Sequence, residues 1–321
     1  MMHRFILISL FAFPWAATSQ NLFEALEGAG ASNFARIIQS DDSLLATYTS
    51  GLVRTVFAPL DSTAPRKRQE PNPADQQRAL LQASDQEGDI ASYRRLPGRT
   101  VPTFDDSARL GGRRQSVVTD ARNSTANTTR RWDLTPRQAE EPLRVTSGLG
   151  NRVDVISGDI PFNGGFIHIV NDYFTIPELL STTAQATGQT TFADLLSSAN
   201  MTQSLDNAPL TTFFVPSNAA LDAAGLSTPG PETAAMLAEH VVPNFAGYLP
   251  ELQDGLVLPN QNGNALTISV RAGEYFVGDA RIVQANQILM NGVAHVIDKA
   301  SFFKPNWYKQ RSNRNPEHSH G

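Results

Sequence analysis

Two short boxes each occur twice in this chain, and in the same order. Thr55-Val56-Phe57-Ala58-Pro59 returns as Thr212-Phe213-Phe214-Val215-Pro216, and Gly165-Phe166-Ile167-His168-Ile169-Val170 returns as Gly292-Val293-Ala294-His295-Val296-Ile297. Paired boxes in a fixed order mean a duplicated structural unit, so the chain reads as two related domains. Ahead of each first box, apolar residues recur at helical spacing: Leu22, Phe23 and Leu26, then Phe34, Ile37 and Ile38, and again Ile176, Leu179 and Leu180, then Phe192, Leu195 and Leu196. Each box then changes to a β-rich period that Pro59 or Pro216 ends. Beyond Pro216, Ser217 is placed to cap a helix. Leu266 to Val270, Tyr275 to Val277, Arg281 to Val283 and Val293 to Ile297 read as short strands between glycines. Strands that follow helices, rather than alternate with them, predict an α+β fold.

The chain has 321 residues, of which 40% are hydrophobic and 0 are cysteine, so packed cores and no disulfide must hold it together. His3 and Arg4 precede an apolar run from Phe5 to Phe13, and Ala17 and Ser19 supply small residues. That pattern predicts a secretory signal over residues 1–19, cleaved near Ser19, and a secreted protein, extracellular or associated with the cell wall. The apolar run is shorter than the ~20 residues that span a bilayer, and the tail over 305–321 is polar and basic, so no membrane anchor is expected. Sequons at Asn123, Asn127 and Asn200 are the expected glycosylation sites. Net charge is −5, but 15 Lys/Arg stand against 11 Asp/Glu between Ala64 and Val145. The charges there are interleaved, which describes a solvated surface and not a nucleic-acid footprint. Four basic doublets in this half, Lys67-Arg68, Arg94-Arg95, Arg113-Arg114 and Arg130-Arg131, are either surface charge or sites for processing proteases.

The two box types, above all Asn291-Gly292-Val293-Ala294-His295-Val296-Ile297-Asp298, resemble the fasciclin, or FAS1, repeat family. The resemblance implies two FAS1 domains over 20–175 and 176–304. Each would be a small β-sandwich or wedge with a helical layer, the first with expanded polar loops at about 64–75 and 99–150. The junction near Tyr173 to Pro177 is too short for a free tether, so the two domains are expected to touch. Family members often carry a Tyr-His pair between the boxes. Tyr93-Arg94 and Glu239-His240 stand as its two half-kept copies, at 36 and 25 residues from Phe57 and Phe214.

No Gly-x-Ser-x-Gly elbow, His-Glu-x-x-His helix, phosphate loop or cysteine nucleophile is present, so neither an enzyme nor a cofactor or metal is expected. His168 and His295 lie between aliphatic residues, one per domain, and are expected to be structural along with Pro59 and Pro216. By the resemblance, an Asp-Ile pair before the second box and the Tyr-His region are contact surfaces. Asp159-Ile160 holds that place in the first domain and Gln287-Ile288 in the second. The partner-binding candidates are therefore Tyr93, Arg94, Asp159 and Ile160, with His240 and Ile288 as second-domain counterparts. Core packing by Tyr93 and Ile160 with Arg94 solvated is the alternative. The implied function is non-catalytic binding of an extracellular protein or glycan, in adhesion or scaffolding. The alternative is a helper of a secreted laccase-type multicopper oxidase that couples aromatic polyketide pigments or toxins.

Overall fold

The computed structural model describes residues 20–63, 73–106, 108–120 and 142–300. The expected signal, Asn123, Asn127, the doublets Lys67-Arg68 and Arg130-Arg131, and the tail lie outside them. Each half opens with three short helices: α1 (Leu22–Gly28), α2 (Ser32–Gln39) and α3 (Asp42–Thr49) in the first. A capping box starts α1, in which Asn21 accepts from the Glu24 N–H and Glu24 accepts from the Asn21 N–H. The Asp41 carboxylate caps α3 in the same sense. Then come β1 (Thr55–Pro59), α4 (Pro73–Leu81), β2 (Ala83–Ser84), the single turn α5 (Ile90–Tyr93), β3 (Arg99–Asp106), β4 (Arg114–Asp120), β5 (Arg144–Thr146), β6 (Arg152–Phe162) and β7 (Gly165–Val170).

The second half repeats the plan with α6 (Leu180–Ala186), α7 (Thr190–Ser198), α8 (Thr202–Asp206), β8 (Thr211–Pro216), α9 (Asn218–Ala224), α10 (Thr233–Glu239), β9 (Val241–Val242), β10 (Val257–Pro259), β11 (Ala265–Arg271), β12 (Glu274–Val277), β13 (Ala280–Leu289) and β14 (Gly292–Ile297). The Ser217 hydroxyl caps α9 by accepting from the Ala220 N–H. Among the described residues each half forms one seven-stranded sheet, in the orders β2-β1-β7-β6-β5-β4-β3 and β9-β8-β14-β13-β12-β11-β10. Read in these directions the two orders match strand for strand.

The boxes are paired parallel strands, second and third from one edge of each sheet: β1 beside β7 and β8 beside β14. Helices cover one face and the curled sheet encloses the other. These strands are therefore buried on both faces, which is why they read as unbroken apolar runs. One cluster per half packs the helices onto the sheet, around Phe34 and Ile38 or Phe192 and Leu196. A second fills the interior of the curl, around Phe57 and Val101 or Phe214 and Leu258. Box two must open on glycine, because a Cβ at Gly165 would lie 1.8 Å from the Arg54 carbonyl oxygen and one at Gly292 1.8 Å from that of Thr211.

The stretch 99–150, expected to be an expanded loop, instead carries β3, β4 and β5. Polar and arginine-rich residues hide these strands because β3 alternates between a buried and a partly exposed face.

Candidate functional site

The hydrogen-bond register fixes which residues of the two halves correspond. Ile160 pairs with Ile167 and Gln287 with Ala294, so Asp159-Ile160 matches Asn286-Gln287. The sequence pairing with Gln287-Ile288 is thus one residue out, because β-bulges in β6 and β13 obscure the count. The His240 carbonyl accepts from the Phe214 N–H at 2.9 Å, and in the first half the Gln82 carbonyl accepts from the Phe57 N–H at 2.8 Å. Gln82, and not Arg94, is therefore the counterpart of His240. Phe57 to Gln82 spans 25 residues and Phe214 to His240 spans 26, so all of the added length in the first half falls after Gln82.

Around the two structural histidines the halves are built alike. His168 Nε2 donates to the Gly88 carbonyl at 2.9 Å, while its Nδ1 accepts from the Asp159 N–H at 3.3 Å. His295 Nε2 donates to the Gly247 carbonyl at 2.9 Å, and its Nδ1 accepts from the Asn286 N–H at 3.4 Å. An N–H aimed at Nδ1 requires that nitrogen to be an acceptor, so both rings are neutral. Burial pushes both below the usual imidazole range, His295 to about 4. The Thr55 hydroxyl donates to the Gln86 carbonyl and accepts from the Gly88 N–H, as Thr212 does with Phe245 and Gly247. Asp159 and Asn286, both at positive φ, close the loop by accepting from the Ile90 and Leu249 N–H groups at 2.9 and 2.8 Å. Each histidine thus pins the 86–92 or 245–251 segment against the bulged strand. The rings lie in separate sheets, and among the described residues no group of three His, Cys, Asp or Glu side chains is placed to hold a metal.

The pinned segment and the bulge form one outward face in each half, and the two faces have different fates. In the second half this face is covered by the first domain. Ala246, Tyr248, Ile288 and Val293 pack with Val118 of β4 and with Leu210 in one apolar cluster. Gln115 Nε2 donates to the Leu289 carbonyl at 2.9 Å, and the Tyr248 hydroxyl donates to Gln115 Oε1 at 3.3 Å. Arg109 donates to the Asp206 carbonyl at 3.0 Å and to Asn207 Oδ1 at 2.6 Å. Burial raises the Glu251 carboxyl, opposed by the Arg113 charge across the seam. In the first half the matching face is open: Glu87, Asp89 and Asp159 are exposed, and Ile90 and Ile160 are half-buried.

Three of the six partner-binding candidates have no outward surface. Tyr93 is 0% exposed, packed between Phe57 and His168 with its hydroxyl donating to Thr55. His240 is 0% exposed, with Nδ1 bonded to the Met236 carbonyl, and burial lowers its pKa to about 4. Ile288 is 0% exposed, within the seam between domains. Arg94 and Ile160 are half-buried, and only Asp159 is fully outward. Glu87 and Asp89, which the sequence alone does not single out, share its face. They follow from placing Gly88 opposite His168. Asn200 is exposed at φ 55 just after α7, a left-handed position that asparagine tolerates.

Residues 187–300 match the family profile of the fasciclin domain. The fasciclin-like arabinogalactan protein CTB11 of Cercospora beticola is 34% identical over 49% of this chain and 43% of its own length. The fasciclin-like arabinogalactan protein elcF of Phaeosphaeria nodorum is 32% identical over 49% and 51%. A fasciclin-like arabinogalactan protein of Arthroderma benhamiae is 29% identical over 47% and 36%. The chain spans about half or less of the length of these relatives. A solved FAS1 domain pair from the insect cell adhesion molecule Fasciclin I aligns with 85% of this chain and 97% of its own, at 16% identity and a TM-score of 0.38. Residues 187–300 are a fasciclin domain, and the first half repeats its strand order and hydrogen-bond register.

Proposed function

We propose that this chain is a non-catalytic binding protein of the extracellular or cell-wall space, which holds a protein or glycan partner on the open face of its first domain. The observation that carries this reading is the unequal fate of two equivalent faces. One is buried in a contact between domains, while its copy, with Asp159, Asp89, Glu87 and Ile160, faces outward. The same scaffold thus already works as a protein-docking surface once in this molecule. Three acidic groups beside half-buried isoleucines, with Arg94 close by in sequence, suit a partner with hydrogen-bond donors around an apolar centre. The extracellular or wall setting is supported by the relatives named as arabinogalactan proteins, and no helix among the described residues is long and apolar enough to cross a membrane.

The test compares the wild type with a variant carrying Arg94→Ala and Asp159→Asn. Asparagine already fills the matching place at Asn286, so folding should be kept. Secreted wild-type protein and the variant are assayed for retention on walls and for proteins recovered with them from culture medium. Loss of retention by the folded variant supports the reading. Equal retention removes the first-domain face from it, and recovery with a multicopper oxidase moves the function to an oxidase helper.

A further inference from the structure

We infer that the domain pair is closed at both free ends against head-to-tail assembly, with Glu87 and Asp89 at one end and Thr267 and Asn264 at the other. The contact between the domains is heterologous: a face of the second domain meets a different face, on β4, of the first. Each domain therefore has one used face and one unused, and repetition in trans would give an open filament.

The register shows what such a contact would bury. Val101 pairs with Val117 as Leu258 pairs with Leu266, which sets Val118 against Thr267, Gln115 against Asn264 and Arg113 against Asn262. On the other side Ala246 corresponds to Glu87, Tyr248 to Asp89, Glu251 to Ser92 and Ile288 to Pro161. A second copy docked in the same way would force Asp89 into the site of Tyr248, which is 5% exposed. There it would find Asn262 where Arg113 stands in the existing seam. Two carboxylates would lose water without gaining a cation, and the apolar Val118–Ile288 match would become Thr267 against Pro161. Val257 of β10 is 55% exposed, and burying it does not offset the desolvation of two carboxylates. Polar outer faces of this kind terminate other stacked-domain arrays.

The experiment restores the internal match in trans. One variant carries Glu87→Ala, Asp89→Tyr and Pro161→Ile, another carries Asn264→Gln and Thr267→Val, and sedimentation velocity follows each alone and mixed. A milder first variant, Glu87→Ala with Asp89→Asn, keeps the cap on α5 and guards against misfolding. Wild type should stay at monomer mass up to high micromolar concentration. The equimolar mixture should pair at least about tenfold more tightly than wild type self-associates. A mixture of folded variants that stays monomeric overturns the inference, as does wild-type association that the first variant abolishes.

Discussion

Replacing Val118 with Asp should part the two domains without unfolding either. Val118 is 1% exposed and its partners across the seam are Ala246, Tyr248, Ile288 and Val293. Losing that burial costs about 2 kcal/mol, and enclosing a carboxylate among these side chains adds roughly 3–5 kcal/mol. Within the barrel such a sum would threaten the fold. At a seam the chain has an alternative, because undocking returns the charge to water and limits the loss to the docking free energy. The matching change Thr267→Asp lies at an exposed position and should alter stability by no more than about 0.5 kcal/mol. Scanning calorimetry with small-angle scattering reads both outcomes. Val118→Asp should separate the two domain transitions and enlarge the radius of gyration, and Thr267→Asp should do neither. If Val118→Asp keeps the melting profile and radius of the wild type, the seam is not what joins the domains.

The neutral buried histidines make stability depend on acid. His240 and His295 have folded pKa values near 4 against 6.5 in the unfolded chain. Their contribution is therefore complete above about pH 6.5 and lost as pH falls toward 4, by up to about 1.4 kcal/mol per histidine per pH unit. Urea titrations at pH 7, 5.5 and 4.5 check the sign, and stability constant across that window would contradict it. Gly292→Ala should destabilise by about 3 kcal/mol or more, since its Cβ would overlap the Thr211 carbonyl at φ +155. Denaturant midpoints measure this, and a near-neutral result would mean that β8 and β14 can separate. Asn200→Gly should leave the midpoint within about 0.5 kcal/mol, because glycine suits the left-handed site. In secreted protein it should also lower the intact mass by one glycan, and a mass lowered only by the difference between asparagine and glycine would show that Asn200 is not modified.

The box strands were legible because burial on both faces writes itself as consecutive apolar residues, visible in Phe213-Phe214-Val215 without any partner. His168 and His295 lie in the same kind of run and are 0% exposed. Legibility failed where correspondence rests on the backbone alone. Gln82 and His240 share no side-chain chemistry, yet both carbonyls take the N–H of the box phenylalanine. Tyr93 looked like the missing half of a Tyr-His pair, but it is an interior ring over Thr55. Nothing in the sequence marks Tyr248 and Ile288 as covered while Asp89 and Pro161 are open, since that depends on how two domains lean together. The change from Tyr and Ala to Asp and Glu at equivalent places is the trace it left, readable only once the register is known.

One face is buried in the seam while its copy is open, and because the chain has no cysteine the difference is directly measurable. Glu87→Cys and Ala246→Cys each put a single thiol at equivalent places, the first exposed and the second 6% exposed in the seam. Under native conditions the thiol of the Glu87→Cys variant should react with a thiol reagent at the rate of a free thiol, and that of the Ala246→Cys variant at least about a hundredfold more slowly. Equal rates in the two variants, both melting like the wild type, would contradict the account.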